Sequence, residues 1–231
     1  MRSNQIFDVF IIHTGCNKNF VAKPLKTILE EFNPDSNLDE PYTLLSEPSC
    51  LTQTSSRSDG PLRCFLDAEM KNYNGYTHSQ MESALETCRY ALVILTPTFL
   101  KMKHPCAELK YAFQREEILY QKYHWHSLYI ILHMMSVEDY ETHCAENPHQ
   151  NLPQITKKQV LILSSNFDTQ DDLFRAVKEM ILESDRRGAK EDWGRFLEAR
   201  TLHANRYDQI PLAKDIYAEG CGAHCQVMHD R

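Results

Sequence analysis

The chain has 231 residues, 42% of them hydrophobic and 25% charged, a mixture that buries a core and excludes disorder from end to end. At roughly 150 residues per domain, this length allows one domain or two. Lys and Arg number 25 against 32 Asp and Glu, and the resulting net charge of -7 argues against broad binding to nucleic acid or an anionic membrane.

The most apolar stretches, Ala91–Leu95 and Ser127–Met135, are far shorter than the roughly 20 residues a bilayer requires. At the N-terminus, Arg2 is followed by polar Ser3, Asn4 and Gln5, and Asp8 interrupts the apolar run that starts at Ile6. That is not the pattern of an export signal, so a cytosolic protein is expected. The eight cysteines (16, 50, 64, 88, 106, 144, 221 and 225) are then expected to be reduced thiols, with Cys64 and Cys88 as small core residues.

In chain order, Ile6–His13 predicts a buried strand, bounded by Thr14-Gly15. Asn19–Phe32 predicts a helix, with Phe20, Val21, Leu25, Ile28, Leu29 and Phe32 on one face and Pro24 near its start. Asn33–Gly60, rich in Ser, Pro and acidic residues, reads as a loop insertion of about 34–60, with at most a short extended piece at Tyr42–Leu45. Leu62–Asp67 predicts a second strand. Ser79 and Glu82 have capping-box spacing ahead of a helix with Met81, Ala84, Leu85 and Cys88 inward.

Tyr90–Thr96 is continuous apolar sequence, suited to a central parallel strand covered on both faces. Pro105 opens a helix to Tyr123, with Leu109, Ala112, Phe113 and Tyr120 inward. Ser127–Met134 and Gln159–Ser164 predict two more strands, joined by a polar connection over Glu138–Lys158. Asp171–Glu183 predicts an amphipathic helix through Leu173, Phe174, Val177, Ile181 and Leu182.

Strands alternating with helices predict an α/β fold: a flavodoxin-like, five-stranded parallel sheet with helices on both faces, over residues 1–184. Functional residues in such sheets gather in the loops beyond the strand C-terminal ends, here beginning at Thr14, Asp67 and Thr96. Residues 185–231 form a C-terminal extension, with Trp193, Phe196 and Leu197 on a short helix and the last segment poorly ordered.

Three separated segments match one family in the right order. Asp8-Val9-Phe10-Ile11 resembles the opening strand motif of the TIR (Toll/interleukin-1 receptor) domain. Phe65-Leu66-Asp67, the loop with Gly75 and the following helix resemble its second strand, BB loop and next helix. Leu95-Thr96-Pro97-x-Phe99-Leu100, then Cys106-Ala107-Glu108-Leu109, resembles its third strand and the start of the helix after it. Leu62–Leu66 and Thr96–Leu100 look most like the Mal/TIRAP class of Toll-pathway adaptors.

The resemblance implies two functions of different kinds. One is a scaffold in innate immune signalling, whose partners are other TIR domains or further copies of itself. Its interface would be the BB loop, carried here by Lys71, Asn72, Tyr73, Asn74, Gly75 and Tyr76. The plain alternative is a solvated turn in which Asn74-Gly75 permits positive φ. The other function is cleavage of the nicotinamide–ribose bond of NAD, with NAD as substrate, no resident cofactor, and Glu108 as the catalytic carboxylate. The plain alternative makes Glu108 a first-turn acid favoured by the helix dipole. His104 and Ile12-His13-Thr14 stand where the enzymatic relatives carry an aromatic residue and a Ser-Tyr-Arg type sequence.

No metal site is expected. Cys221, His224, Cys225 and His229 fall within nine residues, whereas structural zinc sites draw ligand pairs from two segments. His13, His78, His104, His124, His126 and His133 have no ligand spacing and read as surface or edge residues. There is no Gly-rich phosphate loop around Gly15 and no Gly-x-Ser-x-Gly elbow.

Overall fold

Five short apolar segments pair side by side in one parallel sheet: β1 (Val9–Ile12), β2 (Cys64–Phe65), β3 (Tyr90–Leu95), β4 (Leu128–Leu132) and β5 (Val160–Leu163). The computed structural model describes residues 7–31, 61–66, 77–155 and 160–202. Every residue of β1, β3 and β4 is buried, as a parallel strand covered on both faces requires. The strand order is β2-β1-β3-β4-β5. Register places Phe10 beside Ala91, Val93 beside Ile130, and Leu132 beside Leu163.

The helices are α1 (Lys23–Glu30), α2 (Thr77–Thr87), α3 (Lys103–Tyr123), α4 (Val137–Glu146), α5 (Gln170–Ser184) and α6 (Lys190–Leu202). Right-handed crossovers put α1 on one face of the sheet and α2, α3 and α4 on the other. Helix α5 packs beside α1, and Lys178 Nζ donates to the Glu31 carbonyl at 2.6 Å. The expected α/β class and five-stranded parallel sheet are therefore observed.

Several local expectations need correction. Lys18–Ala22 is a π-helical turn ahead of α1, which rotates Phe20 outward to 78% exposure instead of into the core. Thr77 and His78 already belong to helix α2, so Ser79 lies inside it and not at its cap. In α3, Leu119 is fully buried while Tyr120 is 37% exposed, a shift of one position in the inward face.

The polar connection over 138–158 contains helix α4. Ser136 and Asp139 form its capping box, with Asp139 N–H donating to Ser136 Oγ at 3.1 Å and Ser136 N–H to Asp139 Oδ2 at 2.8 Å. Tyr140 is its only buried residue, so apolar periodicity gave no signal.

The boundary expected at 184/185 lies at the junction between the two helices of a kinked rod, α5 and α6. Asp185–Ala189 is a π-turn joining α5 to α6, with Gly188 at φ 99, a conformation that favours glycine. Ala189 and Phe196 are fully buried in the core, and Trp193 and Leu197 pack against it.

A buried ionic cluster below the N-terminal ends of the strands ties this rod to the sheet. Arg89, 4% exposed, donates through Nη2 to Asp8 Oδ1 at 3.0 Å and pairs with Asp185 Oδ2 at 3.1 Å. Tyr90 Oη–H donates to Asp185 Oδ1 at 2.7 Å, and the Arg63 N–H donates to Asp8 Oδ2 at 2.8 Å. The guanidinium also lies 5.4 Å from the Tyr90 ring centroid and 6.0 Å from that of Trp193. Burial raises the Asp185 carboxyl above its ordinary 3.8, against the lowering effect of Arg89 and the Tyr90 hydroxyl.

Removing the arginine takes the paired cation from Asp185 and leaves Asp8 with the partly exposed Arg63, whose Nε lies 3.9 Å from Asp8 Oδ2. We therefore predict that Arg89→Met lowers the unfolding free energy by about 3–5 kcal/mol in a denaturant titration. The Asp139 carboxyl is held below its ordinary 3.8 by the backbone and side-chain hydrogen bonds of Ser136. A depressed carboxylate stabilises the fold above its unfolded value and loses that contribution as pH falls through the folded one. Hydrogen exchange of α4 amides is expected to accelerate as pH falls below 3.8, after correction for intrinsic rates, and Asp139→Asn is expected to abolish that dependence.

Candidate functional site

The strand order reverses at β1 and β3: the chain leaves β1 toward α1 on one face and leaves β3 toward α3 on the other. The diverging loops open a crevice beyond the C-terminal ends of these two strands, the position at which open α/β sheets bind ligands. One lip is His13–Asn17. Thr14 is 2% exposed, and its Oγ1 lies 3.1 Å from Cys16 Sγ. His13, expected as a surface or edge residue, is 8% exposed, with Nδ1–H directed to the Thr14 carbonyl at 2.8 Å.

The other lip is Thr96–Met102, turned by a short 3-10 helix at Phe99–Lys101. Thr96 holds both lips. Its Oγ1 accepts from Asn17 Nδ2 at 3.2 Å across the crevice and from the Phe99 backbone N–H at 3.2 Å within its own loop. A side chain of 3% exposure therefore serves two donors. Gly15 sits in open space, where an added Cβ would meet nothing within 4 Å.

Beside this edge, two residues past β4, Met134 has φ 58 and is 80% exposed. Burial lowers the His133 imidazole from its ordinary value. A pocket of about 220 Å³ lies between the β3–α3 loop and α4, lined by Pro97, Leu100, Lys101, Met135, Asp139 and His143 among others.

Glu108 lies in the second turn of α3. The first turn, Lys103–Cys106, holds no acidic residue, so the first-turn reading is corrected: α3 starts two residues before Pro105. Glu108 is 6% exposed, and it has interactions within the folded chain. Cys106, also at this end of α3, has its thiol pushed up to about 11 by burial, which makes it a poor nucleophile at neutral pH. His104 is exposed.

The expected interface residues Lys71, Asn72, Tyr73, Asn74, Gly75 and Tyr76 lie outside the described residues, as do Asp67 and the cluster Cys221, His224, Cys225 and His229. Among the described residues no group of three or more His, Cys, Asp or Glu could hold a metal ion. Likewise, among them no helix is long and apolar enough to cross a membrane.

Sequence reasoning missed the polar groups on the buried face of α3. Arg115, 1% exposed, donates through Nη1 to Cys88 Sγ at 3.1 Å and through Nη2 to the Cys88 and Arg89 carbonyls. Burial raises the Cys88 thiol even so, and Arg115 opposes the rise. Glu116, 4% exposed, accepts from Ser127 N–H, Ser127 Oγ–H and His126 Nδ1–H. A signal existed: residues 115 and 116 fall three and four positions after inward-facing Ala112, where a helical stripe continues.

The chain matches no known protein-family model, and no curated protein is similar to it.

Thr96→Val keeps the shape of the side chain and removes the acceptor. It is expected to cost about 1–3 kcal/mol of stability, because the buried Phe99 N–H loses its partner. The loss would be read in thermal or denaturant unfolding, together with faster amide exchange in residues 97–102.

Proposed function

We propose that the chain is a TIR-type signalling domain that acts in the cytosol as an innate immune, Toll-like pathway adaptor, by homotypic association with other TIR domains. The observation that carries this reading is one of position. The sheet runs β2-β1-β3-β4-β5, and the three family-like segments fall at β1, at β2 and its following loop, and from the end of β3 into α3. Matching segments at three corresponding places in one topology count for more than any of them alone. Fold by itself does not give function, so the association reading draws on the loop after β2 as well as on the sheet.

The alternative is NAD cleavage through Glu108. The burial of Glu108, at 6% exposure in the second turn of α3, favours a structural role over a carboxylate that must meet ribose hydroxyls. The hydroxyl and amide groups at the crevice are engaged with one another, Thr96 with Asn17 and Phe99, and Thr14 with Cys16.

Light scattering of the purified 27.0 kDa chain across a concentration series tests the proposal. Association is expected to raise the average mass with concentration, and Tyr73→Ala or Gly75→Ala is expected to weaken it at least ~10-fold, about 1.4 kcal/mol. A mass that stays monomeric throughout, with no capture of a second TIR domain, would contradict it. Incubation with NAD is expected to release no nicotinamide. Turnover that disappears in Glu108→Ala would replace the scaffold with the enzyme.

A further inference from the structure

At the opposite edge of the sheet, below the N-terminal ends of β4 and β5, a groove of about 800 Å³ lies between the C-terminal half of α3 and the segment Asn151–Gln154. That volume is in the range of small-molecule sites. Phe113, Leu152 and Pro153 give it apolar walls. Neither lip of the β1–β3 crevice contributes to it.

One side chain in the groove is held from two directions. The imidazole of His126 directs Nδ1–H to Glu116 Oε1 at 2.7 Å. Glu116 is itself fixed, because its Oε2 accepts from Ser127 N–H at 2.6 Å and from Ser127 Oγ–H at 2.8 Å. A carboxylate offers only acceptors, so in the neutral imidazole it selects the tautomer with hydrogen on Nδ1, and Nε2 is then a lone-pair acceptor. The Tyr120 ring then stacks on the imidazole, with centroids 4.7 Å apart and planes 19° from parallel. The His126 side chain is 31% exposed, and Tyr120 is 37% exposed.

The remaining polar groups narrow the ligand. Gln114, Gln121 and Gln154 line the groove with carboxamides, each a donor and an acceptor. Among the charged groups Lys110 stands against Glu116 and Glu117, and His124 also lines the groove. Such a set does not complement a polyphosphate, and among the described residues no group of three or more His, Cys, Asp or Glu could hold a metal ion. It does match a flat, uncharged ring whose edge alternates donors and acceptors.

We infer that this groove is a binding site for a neutral nucleobase, presented as a free nucleoside, which lies over the Tyr120 ring and donates a ring or exocyclic N–H to His126 Nε2 in the plane of the imidazole. The inference stands apart from the association reading, since it uses no residue of the loop after β2.

The test is a titration of the full chain with adenosine, guanosine, cytidine and uridine, followed by long-range proton–nitrogen spectra of the histidine rings. At least one nucleoside is expected to bind, shifting the Nε2 resonance of His126 and the ring protons of Tyr120. Tyr120→Ala and His126→Phe are both expected to weaken that binding at least 10-fold. Lys101→Ala, at the other edge of the sheet, is expected to leave it unchanged. Both variants replace partly exposed side chains, and amide spectra check that they remain folded.

Four results would each overturn the inference: no perturbation by any of the four at millimolar concentration; binding that survives both variants; shifts centred on Thr14 and Thr96; or the same shifts produced by ribose alone. Association weakened by Tyr73→Ala with nucleoside binding intact would separate this site from the proposed function.

Discussion

The fold depends on where one cation is buried. Arg89 stands at the last position before β3, and Asp8 at the last before β1, so sheet pairing alone brings the two together. The third member, Asp185, begins the turn that joins α5 to α6. A guanidinium removed from water is costly unless its donors are answered: Arg115 meets a thiol and two carbonyls, whereas Arg89 has two carboxylates, with aromatic rings at Tyr90 and Trp193 beside it. The raised carboxyl of Asp185 shows that desolvation outweighs the attraction at that residue. The cluster is therefore weak evidence for added stability; its consequence is specificity of arrangement. In the observed placement of the α5–α6 rod, Asp185 meets Arg89 at the start of β3 and Phe196 lies in the core.

This placement divides labour between the two edges of the sheet. At the N-terminal edge, buried charge and aromatic packing fix the scaffold through Arg89, Arg115 and Glu116. At the C-terminal edge, loops meet through single hydrogen bonds, such as those of Thr96, and present exposed side chains such as Phe20, Met102 and Met134. Loops held by a rigid scaffold are where recognition is easily built. The Glu116–His126–Tyr120 arrangement is the exception, since it sets a partly exposed imidazole at the rigid edge.

Much of the sheet was legible because its physics is local. Tyr90–Leu95 is apolar at every position, and only a strand covered on both faces accounts for that. Helix α4 was not legible by periodicity, because a helix that buries only Tyr140 has no apolar stripe to read. Its Ser136-x-x-Asp139 box was the available signal. The outward turn of Phe20 follows from a π-turn whose extra residue breaks the 3.6-residue phase.

Of the candidate site, the loop starts at Thr14 and Thr96 were correctly placed at strand ends, while the partners of Thr96 were not foreseeable. A contact between residues 17 and 96 has no sequence periodicity to announce it. The same holds for the ionic cluster, whose members lie as far apart as residues 8 and 185.

The central claim is that this cluster makes α6 part of the same cooperative unit as the sheet. Native-state hydrogen exchange, resolved by residue, tests it most directly. Amides of α6 such as that of Phe196 are expected to open with the same free energy and denaturant dependence as those of β3. An α6 whose amides exchange freely, by a local opening that leaves β3 protected, would contradict the account.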